Sequence, residues 1–249
     1  MDSSPESVDL RTEEATLLKR NLSGKQTGYT ADSGIPFLLE EDFMRTWILI
    51  LEVIGTIAFS VSGALTGIQK KMDLFGVSIL GLTTAVGGGV IRDLILGINP
   101  PVMFRNPLYA IIAVATAIIV FIPAVRGKLM LQHKVYESIM LIMDSIGLGV
   151  FTVVGIETAY NSGNEGIFLL VFVGVITGVG GGVLRDILAG NTPYIFVKHV
   201  YACASLVGAV LCVLIWDYVP HLWVMPICAI LIVVLRLLSA HFKWNLPRA

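Results

Sequence analysis

The stretch that decides the fold occurs twice, as Gly87-Gly88-Gly89-Val90-Ile91-Arg92-Asp93-Leu94-Ile95-Leu96-Gly97 and as Gly180-Gly181-Gly182-Val183-Leu184-Arg185-Asp186-Ile187-Leu188-Ala189-Gly190. Both copies lie inside long apolar segments. A glycine costs about 1 kcal/mol relative to alanine in a helix interior. A charged side chain at the centre of a bilayer costs roughly 3 kcal/mol or more. A chain that carries both costs twice is predicted to use these residues for function, and not for packing alone.

The composition is that of a membrane protein. Of the 249 residues, 55% are hydrophobic and 14% are charged, and the mean hydropathy is +0.82. A soluble domain has about 25% charged residues. The net charge of -1 gives no indication of a nucleic-acid partner. We interpret the cysteines as small core residues, because they lie in apolar runs without the spacing of metal ligands; they are Cys203, Cys212 and Cys228.

Seven apolar segments each have the length of about 20 residues that a membrane-spanning helix needs. Short separators with turn residues or charges divide them. The segments cover residues 47–68, 74–97, 107–125, 136–160, 166–190, 199–218 and 221–240. Residues 1–44 are polar and show no apolar period, so we expect them to form a disordered tail.

The duplication extends beyond the glycine motif. Pro100 matches Pro193 at an offset of 93 residues, and Glu52 matches Asp144 at an offset of 92. We therefore predict an all-α fold with two copies of a three-helix unit and a seventh helix. Because three is odd, the second copy enters the membrane from the opposite side, which makes the repeat inverted. The predicted units are residues 45–130, residues 131–220, and residues 221–249 for the seventh helix with a short C-terminal tail.

Positive charges in the short loops predict the orientation. They collect after the first, third and fifth segments, whereas the other side of the membrane has only Arg45 and Arg105 close to it. The cation-rich side is expected to be cytoplasmic. The N-terminus then lies outside the cell or in a lumen, and the C-terminus lies in the cytoplasm. The membrane is either the plasma membrane or an intracellular membrane. The cations on the cytoplasmic side are Lys70, Lys71, Arg126, Lys128, Lys134, Lys198, Lys243 and Arg248.

Arg92, Asp93, Arg185 and Asp186 are candidate pore or gate residues, since each pair follows a glycine triplet at the same distance. The arginines either line a polar pathway or form structural ion pairs, and both interpretations are open. Neighbouring positions on a helix do not face each other. We therefore expect each aspartate to pair with an arginine from elsewhere in the fold, across the pseudo-two-fold axis.

The glycine triplets are predicted to break the second and fifth helices. Backbone carbonyls freed at membrane depth are tolerated where protein or water satisfies them. Carbonyls that line a cavity are suitable ligands for a dehydrated monovalent cation. The candidate pore residues are therefore Gly87, Gly88, Gly89, Gly180, Gly181 and Gly182.

Glu52 and Asp144 occupy matching positions early in the first and fourth segments. They either pair with Arg92 or Arg185, or attract cations at a pore mouth. The sequence contains no nucleophile and base pattern, phosphate loop, dinucleotide fingerprint or metal-ligand spacing. We expect no enzymatic activity, no catalytic residue, no metal and no cofactor.

The doubled Gly-Gly-Gly-Val-(Ile/Leu)-Arg-Asp motif, in a three-plus-three-plus-one arrangement, resembles the prokaryotic branch of the trimeric intracellular cation channels. The same branch is also described as a glycine-transporter family. The resemblance covers roughly residues 47–240. It implies a seven-helix fold, a homotrimer, and one pore in each protomer. That pore would be shaped by the second and fifth helices at residues 87–89 and 180–182, with Arg92 and Arg185 beside them.

Three functions are compatible with these features. The first is a monovalent cation channel, for K+ before Na+. The second is a secondary transporter for glycine or a similar small zwitterion, whose carboxylate would meet an arginine or a helix N-terminus. The third is a membrane protein regulated by lipid headgroups at the arginines. Internal arginines favour transport over the third function. The interior has more carboxylates than arginines and is therefore net acidic, which favours the channel; the carboxylates are Glu52, Asp93, Asp144 and Asp186, against Arg92 and Arg185. Membrane lipid is an expected partner.

Overall fold

The computed structural model describes residues 37–129, 132–197 and 201–244. The chain divides into two compact units, Met1–Phe43 and Met44–Ala249, and the membrane fold belongs to the second. The predicted disorder of residues 1–44 concerns a segment of which residues 1–36 lie outside the described part of the chain.

The described residues form helices and no strand, as expected for an all-α fold. We number the helices in chain order. They are α1 (Phe37–Gln69), α2 (Leu74–Ile95), α3 (Val102–Arg105), α4 (Leu108–Phe121), α5 (Pro123–Leu129), α6 (His133–Asn161), α7 (Ile167–Leu188), α8 (Tyr194–Val197), α9 (Tyr201–Ile215) and α10 (His221–His241).

Five of these helices are long and apolar enough to cross a membrane, namely α1 from Met44 onward, α2, α6, α7 and α10. The third predicted segment is bent by 79° between α4 and α5. The bend lies at Pro123, whose ring removes a backbone donor and disfavours the helical conformation of the residue before it. The sixth predicted segment contains α9, a shorter apolar helix. The protein is a multi-pass membrane protein, and its described residues contain five such helices, or six spans if the bent pair is one.

The distribution of side chains is that of a protein surrounded by lipid. Large apolar side chains such as Phe75 and Phe168 are exposed on the outer surface. Several charged side chains are buried, a costly placement in a membrane that usually marks a functional or paired group. The buried charged residues of the described part are Arg92, Asp93, Asp144, Arg185, Asp186 and Arg236.

The predicted break of the second and fifth helices is wrong. Helix α2 continues through residues 87–89 and helix α7 through residues 180–182. The glycines instead allow the two helices to approach until their backbones touch. A Cβ atom added to Gly88 would overlap the carbonyl oxygen of Thr177, and one added to Gly181 would overlap the carbonyl oxygen of Thr84.

The two helices cross in antiparallel directions. Moving from Thr84 to Gly88 along α2 changes the contacted residue from Gly181 to Thr177 on α7, which is a step back along the chain. Arg92 and Arg185 each follow the crossing toward the C-terminal end of their own helix. They therefore lie on opposite sides of the crossing.

Candidate functional site

Arg185 is fully buried and is held by two carboxylates. Its Nε donates to Asp186 Oδ1 at 2.8 Å, and its Nη1 donates to Asp144 Oδ1 at 2.5 Å. The same Nη1 also donates to the hydroxyl of Ser62. An arginine with two charged acceptors in a buried site is strongly fixed, because charge-assisted hydrogen bonds are about twice as strong as neutral ones. From the sequence, Asp144 is either a partner of an arginine or a cation attractor at a pore mouth. In the structure it forms an ion pair with Arg185.

Arg92 repeats this arrangement with its own neighbour. Its Nε donates to Asp93 Oδ1 at 2.9 Å. The expectation that each aspartate pairs with an arginine from elsewhere is therefore wrong for both copies of the motif. The reason is that the second carboxylate oxygen has a backbone donor, which turns the carboxylate toward its own arginine. Val102 N–H donates to Asp93 Oδ2 at 2.8 Å, and Tyr194 N–H donates to Asp186 Oδ2 at 2.9 Å.

The turn after each long helix brings those backbone donors into place. Gly97 and Gly190 have φ angles of 69° and 65°, a conformation that glycine adopts without strain. The next N–H reaches back to the aspartate carbonyl, from Ile98 to Asp93 and from Asn191 to Asp186, each at 2.8 Å. This is the usual glycine-ended helix C-terminus. It directs the chain into the four-residue helices α3 and α8, whose first N–H groups meet the carboxylates.

Glu52 lies on the Arg92 side of the crossing. It accepts a hydrogen bond from the hydroxyl of Tyr109, and both residues line a cavity together with Arg92, Asp93 and Gly89. In the described part of the chain, the carboxylate of Glu52 does not lie within ion-pair distance of Arg92. The cavity has a volume of about 40 Å³, which is enough to hold water beside these charges.

Two residues of this region were not expected from the sequence. Tyr109 has no acidic or basic side chain to mark it, and its role follows only from its contact with Glu52. Glu157 near the end of α6 has no acidic counterpart, because the matching position of the first repeat holds Leu65. It interacts electrostatically with Glu52 and Arg92, so it belongs to the same side of the crossing.

A second arginine lies beside Arg185 and was also missed. Arg236 of α10 is 2% exposed, and its guanidinium lies over the ring of Tyr201, 5.0 Å from the ring centroid. Among the described residues, its Nε and Nη1 have no hydrogen-bond partner, and the same holds for Asp144 Oδ2, Arg185 Nη2 and the Tyr201 hydroxyl. A charged residue within the seventh apolar segment is the signal that would have indicated it.

The third glycine of each triplet faces a charged group instead of the crossing. A Cβ at Gly89 would have only Arg92 Nη2 nearby, at 3.8 Å. A Cβ at Gly182 would lie 2.9 Å from the Tyr201 hydroxyl and 3.7 Å from Arg185 Nη2. The first two glycines of each triplet thus form the crossing, and the third lies next to the guanidinium of the arginine in its own motif.

We name the two charged groups by their arginines. The Arg92 cluster consists of Glu52, Arg92, Asp93, Tyr109 and Glu157. The Arg185 cluster consists of Asp144, Arg185, Asp186, Tyr201 and Arg236. Both clusters are polar regions inside an apolar protein, and the crossing of α2 and α7 separates them. Such an arrangement can attract and hold a small ion on either side of a closed contact.

Comparisons with known proteins place the chain in a family. Residues 49–124 and 141–217 match a family model described as a glycine transporter. The inner membrane protein YadS of Escherichia coli K12 is 38% identical over 161 residues, which are 64% of this chain and 74% of the relative. The membrane protein YvgT of Bacillus subtilis is 35% identical over 198 residues, which are 80% of this chain and 94% of the relative.

Solved structures agree with this placement. A trimeric intracellular cation channel orthologue from Rhodobacter sphaeroides has a TM-score of 0.73 at 31% identity, over 80% of this chain and 99% of that one. A prokaryotic channel of the same kind, in 0.5 M KCl, has a TM-score of 0.74 at 33% identity, over 81% and 100%. These relatives are channels, which agrees with the expectation that the chain is not an enzyme. The chain therefore belongs to the glycine-transporter family of membrane proteins, together with the prokaryotic trimeric intracellular cation channels.

Proposed function

We propose that the protein is a homotrimeric channel for monovalent cations, for K+ before Na+, with one pore in each protomer. The observation that carries the proposal is the pair of buried charged clusters on the two sides of one helix crossing. The likeness to solved cation channels supports it, with TM-scores of 0.71 to 0.74 at 31% to 36% identity.

The pore runs from the cavity of the Arg92 cluster, past the crossing, to the Arg185 cluster. Phe59 closes this path, since its ring touches Gly181 and packs on the ring of Phe151 at 5.3 Å between centroids. Phe151 also lines the cavity of the Arg92 cluster. An apolar constriction of this kind stops ions because water leaves it. Opening requires Phe59 to move or α2 and α7 to separate.

Carboxylates provide the preference for cations in this mechanism. The glycine triplets remain helical, so their carbonyls stay within the helices and do not form an ion filter. Glu52 and Asp93 on one side and Asp144 and Asp186 on the other supply negative charge along the path. Charged side chains of one sign are a common means of selecting ions by charge.

The proposal includes seven spans and an inverted repeat. Helix α9 is the sixth span, and residues 45–130 and 131–220 are the two units, with residues 221–249 as the seventh helix and tail. Three observations support the inversion. The contacts of Gly88 with Thr177 and of Gly181 with Thr84 are reciprocal, each Arg-Asp pair meets a four-residue helix, and the family model matches the chain twice. The N-terminus lies outside and the C-terminus in the cytoplasm.

The alternative is a carrier for glycine or a similar small zwitterion, and the description of the family model is the observation in its favour. A carrier would bind the substrate carboxylate with an arginine. Arg185 already has two carboxylate partners, so only Arg92, whose Nε binds Asp93, is left for this role. The solved structures that resemble this chain are of cation channels. We therefore place this function second.

Purified protein in planar bilayers tests the proposal directly. We expect discrete unitary currents in symmetric KCl and a reversal potential near the K+ equilibrium potential in a KCl gradient. The same preparation in proteoliposomes should show no saturable uptake of glycine. Saturable glycine uptake without unitary currents would overturn the channel in favour of the carrier.

A further inference from the structure

The two arginines of the Arg185 cluster are held very differently. Arg185 makes hydrogen bonds to Asp186, Asp144 and Ser62. Arg236 makes no ion pair within 4.0 Å with any described carboxylate, and its Nε and Nη1 lack hydrogen-bond partners among the described residues. Its contact is with the face of the Tyr201 ring. Arg185 is thus a fixed part of the structure, whereas Arg236 is a buried cation held weakly.

Asp144 connects Arg236 to the rest of the cluster. Its Oδ1 binds Arg185, while its Oδ2 is buried without a hydrogen-bond partner in the described part of the chain. Asp144 is also the strongest opposite charge that acts on Arg236. The Tyr201 hydroxyl also lacks a hydrogen-bond partner among the described residues. The Cβ position of Gly182 lies 2.9 Å from this hydroxyl and 3.6 Å from Asp144 Oδ1, so the hydroxyl and the carboxylate offer oxygen ligands close together. Oxygen atoms are the ligands that hard cations prefer.

The charge balance of the two clusters differs because of Arg236. In the Arg92 cluster, Arg92 stands against Glu52, Asp93 and Glu157, so the carboxylates are in excess. In the Arg185 cluster, Arg185 and Arg236 stand against Asp144 and Asp186, so the formal charges cancel. Arg236 lies on α10, outside the two repeated units, and therefore has no equivalent in the first unit.

We propose that Arg236 is a built-in counter-ion that competes with a monovalent cation for Asp144 Oδ2 and the Tyr201 hydroxyl. Arg236 lies over the Tyr201 ring without an ion pair to Asp144, and its positive charge at this position sets how weakly the cluster binds K+. This inference rests on the proposed channel function, in which K+ passes the Arg185 cluster. It assigns the weaker of the two cation sites to the cytoplasmic half of the path, beyond the constriction at Phe59.

The test measures cation binding without the need for conduction. Wild type, Arg236→Gln and Arg236→Lys are purified in detergent, and thermal unfolding is followed against KCl, with N-methyl-D-glucamine chloride at matched ionic strength as the reference. Removing one buried charge from the cluster should lower the half-saturating K+ concentration by about tenfold or more, since charges interact strongly at low dielectric. The lysine variant keeps the charge and should resemble the wild type. Equal K+ dependence in all three proteins would overturn the proposal.

A charge-balanced variant provides the second arm. Asp144→Asn combined with Arg236→Gln restores neutrality and removes a cation ligand, so the K+ response should return to the wild-type level or below. Where Arg236→Gln alone fails to fold, K+ present during solubilisation should rescue it and N-methyl-D-glucamine should not. Rescue by both cations, or by neither, would contradict the proposal. Absence of wild-type currents overturns the channel, whereas an unchanged K+ response overturns only the role of Arg236.

Discussion

Gly88 of α2 lies so close to Thr177 of α7 that a Cβ atom at position 88 would overlap the backbone carbonyl oxygen of Thr177. The backbone oxygen cannot turn aside as a flexible side chain would. The Thr177 hydroxyl is also fixed, because it donates to the carbonyl of Val173 at 2.6 Å in its own helix. The crossing therefore accepts no larger residue without a shift of one whole helix.

Gly88→Ala should destabilise the protein by about 1–3 kcal/mol, the usual cost of adding a carbon to a filled contact. Gly89→Ala is the matched control, since a Cβ there would have only Arg92 Nη2 nearby, at 3.8 Å. Thermal unfolding in detergent measures both. Equal melting temperatures for the two variants would show that the crossing is not a tight contact.

Asp144→Asn should lower stability more strongly, because it leaves Arg185 without one of its charged partners in a buried site. Breaking a buried pair in this way costs roughly 3–5 kcal/mol. Asp217→Asn serves as the control at an exposed position. Chemical unfolding of the two variants in detergent provides the comparison, and a loss for Asp144→Asn no greater than that of the control would contradict the pairing.

Phe59→Ala should increase the open probability of the channel. The ring fills the space between Gly181 and Phe151, and its removal leaves a passage that water can enter. Phe168→Ala removes an equally large ring that is 83% exposed, and it should leave gating unchanged. Single-channel recording in planar bilayers gives the answer. An unaltered open probability in Phe59→Ala would place the constriction elsewhere.

Arg185→Ala should change open probability or conductance while the preference for cations over anions persists. The substitution leaves Asp144 and Asp186 unpaired near the path, so negative charge increases there. Reversal potentials in a KCl gradient measure the preference, and unitary currents measure the gating. In a carrier, the same substitution would instead abolish glycine-dependent flux.

Cysteine labelling should reveal the orientation. In a background without Cys203, Cys212 and Cys228, a cysteine at Lys128 should react with a membrane-impermeant maleimide only from the cytoplasm. A cysteine at Asn164 should react only from outside. The reverse pattern would invert the topology and exchange the two sides of the pore.

The membrane class, the helical fold and the charged motif residues could be predicted from the sequence, since long apolar runs and doubled intramembrane charges are local features. The sequence could not predict whether the helices continue through the glycine triplets. Whether Gly88 breaks a helix or lets two helices touch depends on what lies opposite, and only the fold brings Thr177 there. The same holds for Asp93, whose orientation depends on the N–H of Val102.

Arg236 shows a different limit. The internal repeat directs attention to residues that occur twice, and Arg236 lies in the one long helix that the repeat does not include. Its placement beside Tyr201 and Asp144 requires α10 to pack against the second unit. The repeat does not indicate Glu157 either, because its matched position holds Leu65.

The contact between α2 and α7 has the form of an isologous interface, in which residue i touches residue j and the equivalent of j touches the equivalent of i. Gly88 meets Thr177, and Gly181 meets Thr84. Such a surface ordinarily joins two identical subunits, and here two helices of one chain form it. It follows that positions 88 and 181 are each limited to glycine by a backbone oxygen of the opposite helix, and that a larger residue at either one disturbs the same crossing.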